Sequence, residues 1–254
     1  MDQIYIPKNR AGFAIGNHVV IKPLEEERRK DNSAKKLYFY GVKKLEPVKI
    51  GIVEEIMGIV DRYTSDYDNI IITGSFLDNG FNFDDVDIII MTEKEAEHTL
   101  KRDMENQIGM KSHIIFFNKL TLKKSLETDP LWKLMLSKCI SKKRLLLSEK
   151  KNIDYKYLDA QLIKSKTLLE NFDVLYGKEK YKIIRNIISI YLFVKNKKIS
   201  ETNVENAIKE KLGVDSNELK NNLLSKEDLK GYRNFYLKLE EEIIKNAAKQ
   251  EKIN

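Results

Sequence analysis

Residues 70–91, IIITGSFLDNGFNFDDVDIIIM, constrain this chain more than any other stretch. Its two isoleucine-rich runs read as short buried strands, because β-branched side chains suit a pleated, packed surface. The first strand, residues 69–73, stops at Gly74-Ser75. Nine residues follow, and the second strand, residues 85–91, opens with Asp85-Val86-Asp87. Side chains at i and i+2 of a strand project to one face, so Asp85 and Asp87 stand together. Two adjacent carboxylates repel unless a cation lies between them. A hard divalent cation is the natural occupant, and Mg²⁺ fits where phosphates complete its oxygen shell. Gly74 lets the backbone approach a phosphate closely, and Ser75 adds an N–H and a hydroxyl.

The surrounding pattern predicts an α+β protein with three parts. Residues 1–45 read as a β-rich N-terminal segment, with apolar runs at residues 4–6, 19–21 and 37–40 around a polar stretch, EEERRKDNSAKK. Residues 46–150 alternate helix and strand. Pro47 opens a helix whose apolar residues recur at helical spacing to about Tyr63. After the two strands, Thr92 and Glu95 form a capping box for a helix to about Gln107. Residues 112–117, SHIIFF, make a third strand. Asp129-Pro130 starts a helix running to about Cys139, and residues 144–147 are expected to form a last short strand. Residues 151–254 show only helical spacing, over 155–171, 178–195, 200–212 and 228–250, with Gly177 and Gly213 among the breaks.

Composition excludes several classes. Among 254 residues, 42% are hydrophobic and 33% charged, with 11 Gly and 4 Pro, so the chain is neither collagen-like nor wholly disordered. No apolar run approaches the roughly 18 residues of a membrane span, and no secretory signal pattern opens the sequence, so the expected setting is cytoplasmic, without membrane association. One cysteine, Cys139, allows neither an intrachain disulfide nor a cysteine cluster for zinc. The net charge of +7 is uneven: residues 109–151 carry eleven Lys and Arg against three acids, leaving the remainder at −1. A concentrated basic face suits a polyanion such as a nucleoside triphosphate or RNA.

With its strand–turn–strand context, the Gly74-Ser75 and Asp85-Val86-Asp87 pattern resembles the minimal nucleotidyltransferases of the polymerase-β superfamily, over residues 46–147. The resemblance implies a polymerase-β-like core, a small mixed sheet with flanking helices, followed by the helical domain. It also implies metal-dependent transfer of a nucleoside monophosphate from an NTP to a hydroxyl, with pyrophosphate released. Gly74 and Ser75 would hold the triphosphate, and Asp85 and Asp87 would ligate Mg²⁺ (or Mn²⁺). Asp84 stands where the family often has Ser or Thr.

The third strand lacks the carboxylate that active members often supply there, and His113 occupies the corresponding position. An imidazole can serve as general base; the bland alternative is an inert histidine at a strand edge. In the helical part, Lys182 and Arg185, three residues apart, share a helical face that could meet a triphosphate or an RNA backbone. Arg185 is not followed by the histidine of a HEPN ribonuclease motif, so ribonuclease activity is not expected.

Three functions compete. The first is a nucleotidyltransferase acting on RNA, such as tRNA, or on a protein. The second is a catalytically weak nucleotide- or RNA-binding or antitoxin-like module. The third is a DNA-binding regulator using the N-terminal segment, whose IPKNRAGFAIGNHVVI is similar to swapped-hairpin DNA-binding elements of the AbrB kind.

Overall fold

Isoleucine on both faces of a strand demands cover on both sides, and the two central strands sit in the middle of a five-stranded sheet. The structure is a computed structural model that describes residues 36–93, 98–145 and 150–251. The sheet order is β1 (Tyr38–Tyr40), β5 (Cys139–Ser141), β2 (Asn69–Thr73), β3 (Asp85–Met91) and β4 (Lys111–Phe117). Every pair is antiparallel except β3 with β4. That parallel pair needs a crossover, and α2 (His98–Ile108) lies on it.

The chain divides into two compact units. The first takes the described residues up to Asn118 together with Cys139–Leu145, and the second takes Lys119–Lys138 and the described residues from Lys150 onward. The first unit is therefore α+β with a small mixed sheet. Its core joins Val53, Ile56 and Val60 of α1 (Pro47–Tyr63) and Leu100 and Met104 of α2 to Ile70, Ile72, Val86, Ile88, Ile90 and Ile140 of the sheet. The alternate residues of the same strands, Asp85, Asp87, Lys111 and His113 among them, belong to the opposite face.

The second unit is helical: α3 (Lys119–Thr128), α4 (Pro130–Leu136), α5 (Tyr155–Glu170), α6 (Gly177–Val194), α7 (Glu201–Leu212), α8 (Ser216–Lys220) and α9 (Lys226–Glu251). Side-chain oxygens of Asp129, Asp154, Ser200 and Asp215 accept from the N–H groups of Leu131, Tyr157, Asn203 and Asn217 in the first turns of α4, α5, α7 and α8. Leu158, Leu162, Ile184, Ile188, Val204 and Ile208 pack with Tyr232 and Tyr236 of α9. The Tyr232 hydroxyl donates to the Ser165 carbonyl at 2.7 Å. Among the described residues, no helix is long and apolar enough to cross a membrane.

Several sequence expectations shift. The last strand is β5, earlier than residues 144–147, and the helix from Pro130 ends at Leu136 to make room for it. Residues 146 and 147 lie outside the described set, as do residues 1–35 with two of the three N-terminal runs. The third run joins the sheet as β1. The Thr92 hydroxyl donates to the Asp66 carbonyl at 2.8 Å; Glu95, the other half of the expected capping box, lies outside the described residues. Helices α3 and α8 were not expected, and α3 and α4 group with the second unit rather than with the sheet. Residues 119–138 and 146–254 together carry 27 Lys and Arg against 19 Asp and Glu, so the whole net positive charge belongs to the segments of that unit.

Candidate functional site

Register brings the candidate residues into one row. Thr73 lies opposite Asp87 on the antiparallel side, and His113 lies opposite Asp87 on the parallel side. Laterally paired residues share a face, so all three side chains stand side by side, with Asp85 and Lys111 paired two residues along. Thr73 is fully buried, Asp87 and Asp85 are half-buried, and His113 is exposed. The row thus runs from the core to solvent, with the carboxylates at the edge.

Gly74 has φ 85° and ψ −170°, a region that essentially only glycine occupies. This kink carries the chain from β2 into one tight helical turn, Ser75–Leu77. A β-carbon on Gly74 would overlap Asp87 Oδ2 and come within 3.1 Å of Asp87 Cγ. The Gly-Ser turn and the second aspartate, 13 residues apart in sequence, are therefore in direct contact. Ser75 is exposed beside them, whereas Phe76 and Leu77 anchor the turn in the core.

The other carboxylate oxygen, Asp87 Oδ1, lies 3.2 Å from His113 Nδ1. A carboxylate can only accept, so the imidazole donates through Nδ1–H. In the neutral imidazole, that arrangement places the acceptor lone pair on Nε2. Among the described residues no three His, Cys, Asp or Glu side chains form a preformed cation cage. Mg²⁺ is commonly held by one or two carboxylates, substrate oxygens and water, and Asp85 and Asp87 are the residues of this row that could hold one.

Gly74, Ser75, Asp85, Asp87 and His113 all fall in the first unit, around the ends of β2, β3 and β4. Lys182 and Arg185 belong to the second unit, on α6. Lys182 is exposed. Arg185 is half-buried, and its Nε finds no acceptor among the described residues.

Sequence reasoning missed the structure that holds the loop between Ser75 and Asp85. Lys49 of α1 is wholly buried, with its ammonium 5.6, 5.4 and 5.1 Å from the ring centres of Phe76, Phe81 and Phe83. It donates to the Asp78 carbonyl and pairs with Glu46 at 3.2 Å, while the Gly80 N–H donates to the other Glu46 oxygen. Those contacts hold the Glu46 carboxyl below its ordinary 4.5, with the Gly80 hydrogen bond first among the causes. A signal was present: Lys49 occupies the face of Val53, Ile56 and Val60, four, seven and eleven residues on, where an apolar residue is the norm.

Cys139, level with Thr73 in the row, is fully buried, and burial pushes its thiol up to about 12. It is a packing residue rather than a nucleophile. Comparisons with protein-family models, with curated proteins and with solved structures find no match to this chain.

Proposed function

We propose that the chain is a Mg²⁺-dependent nucleotidyltransferase that moves a nucleoside monophosphate from an NTP to a hydroxyl of RNA or protein. The observation that supports it most is the contact between the Gly74 turn and Asp87, with His113 on the carboxylate's far side. A bare backbone turn able to meet phosphate oxygens, two carboxylates able to hold Mg²⁺ and one proton acceptor converge where the ends of β2, β3 and β4 meet. The turn and Ser75 would bind the triphosphate, and Asp85 and Asp87 would hold the ion. When bound, that ion supplies charge neutralisation for the phosphates and the departing pyrophosphate.

The chain's own residues do the rest. The acceptor hydroxyl attacks the α-phosphorus in line. A new O–P bond forms as the bond from the α-phosphorus to the bridging oxygen breaks, and the electron pair leaves with pyrophosphate. The hydroxyl proton passes to His113 Nε2, while Asp87 fixes the imidazole through Nδ1 and stabilises the resulting cation. The positively charged second unit favours RNA over a small molecule as acceptor.

A second reading has one observation of its own: β4, KSHIIFF, carries no carboxylate. That favours nucleotide binding without transfer. His113→Ala separates the two. If transfer occurs, this variant binds Mg·ATP like the wild type but releases pyrophosphate about 10²-fold more slowly, the lower end of a general base's contribution. Equal release rates remove His113 from the mechanism. A wild type that binds Mg·ATP and releases no pyrophosphate with any RNA or protein acceptor establishes the binding module.

A further inference from the structure

We infer that Phe81 is the platform on which the base of the bound nucleotide stacks. This rests on the nucleotide reading above and extends it to the part of the ligand that the carboxylates and the Gly74 turn do not touch. Three phenylalanines lie in or beside the loop from Ser75 to Asp85. Phe76 is fully buried and Phe83 half-buried, but Phe81 leaves 51% of its surface open. It sits six residues after Ser75 and four before Asp85, so chain geometry keeps it within about 14 Å of the carboxylate strand.

An exposed ring on a loose loop would offer little. This one is braced. The Lys49 ammonium lies 5.4 Å from its centre, and the Phe83 ring packs at 6.5 Å with a 45° tilt. The backbone is tied on the N-terminal side of Phe81 at two points: the Asp78 carbonyl accepts from Lys49, and the Gly80 N–H donates to Glu46. Burying a lysine is costly unless it is paired, and an apolar side chain would close the same space more simply. The arrangement makes sense if the loop must hold an aromatic face out of the core in a fixed position. A phenyl ring offers a π-face with no donor or acceptor, so it suits any nucleobase by stacking and cannot select among them.

The test compares Mg·ATP with magnesium tripolyphosphate, which has the phosphates and no base, by calorimetric titration of the full chain. Phe81→Ala should weaken ATP binding about tenfold or more and leave tripolyphosphate binding unchanged. Phe81→Leu, which keeps apolar bulk in the loop, should fold like the wild type and lose ATP affinity as Ala does, and Phe81→Trp should restore it. Phe81→Ala or Phe81→Leu binding ATP as tightly as the wild type overturns the platform while the phosphate site stands. So does a wild type that binds ATP no better than tripolyphosphate. A wild type that binds neither removes the nucleotide reading, and the platform with it.

Discussion

Gly74→Ala is expected to cost about 10³-fold in transfer and to loosen the centre of the sheet. Two physical effects combine. Alanine at φ 85°, ψ −170° carries a backbone strain of about 1–3 kcal/mol. Its methyl group would also occupy the space of Asp87 Oδ2, so either the carboxylate or the turn must move. A displacement of about 1 Å at a reacting centre is worth about 10²-fold, and loss of an N–H aimed at a developing charge is worth a similar amount. Because Asp87 also orients His113, its movement would disturb the proton acceptor as well. Transfer rates measure the first effect. Hydrogen exchange of the Ile70–Ile72 and Ile88–Ile90 amides measures the second, in the unit where it arises. Near-normal transfer by Gly74→Ala would mean that the turn and Asp87 do not act on one ligand.

Lys49→Ala is expected to destabilise the first unit by about 3 kcal/mol. Truncation leaves a hole among three phenyl rings, removes the cation paired with Glu46 and deprives the Asp78 carbonyl of its donor. Large-to-small core changes cost about 2–5 kcal/mol, and breaking a buried pair from one side costs about 3–5; the partial exposure of Glu46 sets the figure at the lower end. Lys49→Met, which fills the space without the charge, should recover part of the loss. Protection of residues 76–84 against hydrogen exchange should fall first in both. The same tie responds to acid. The Glu46 carboxyl titrates below its ordinary 4.5, so its contribution is complete above that value and disappears as pH falls through the lowered one. The loop should therefore hold its protection at pH 5 and lose it only in stronger acid.

The parts of the fold that depend on local pattern were legible. Strand β3 announces itself because Ile88-Ile89-Ile90 leaves no polar position for a helix to expose, and α1 because its apolar residues keep a period near 3.6 behind a proline. Strand β5 was misplaced because CIS is only three residues long, while the neighbouring RLLL is more apolar. Helix α3 passed unnoticed since Leu122 and Leu126 are its only buried positions and Leu120 faces water. That α3 and α4 group with the second unit depends on which surfaces meet in space, and no local pattern carries that.

The site followed the same division. Gly74, Ser75, Asp85 and Asp87 could be named from residue type and spacing, because strand geometry puts i and i+2 on one face. That His113 stands opposite Asp87 required the β3–β4 register, which the sequence does not state. The Lys49 brace was hidden for a different reason. A lysine in a helix reads as a solvent-facing residue, and only its place on the apolar stripe argues otherwise.

The central claim is that Asp85 and Asp87 serve phosphoryl chemistry. It is tested most directly by incubating the protein and Mg²⁺ with each of the four NTPs, radiolabelled in the α-phosphate, in an extract containing total RNA and protein. The wild type should transfer label to an RNA or protein band, with pyrophosphate released, and Asp85→Asn/Asp87→Asn should transfer none. Equal labelling by the two proteins would contradict the account, as would a wild type that labels nothing with any NTP.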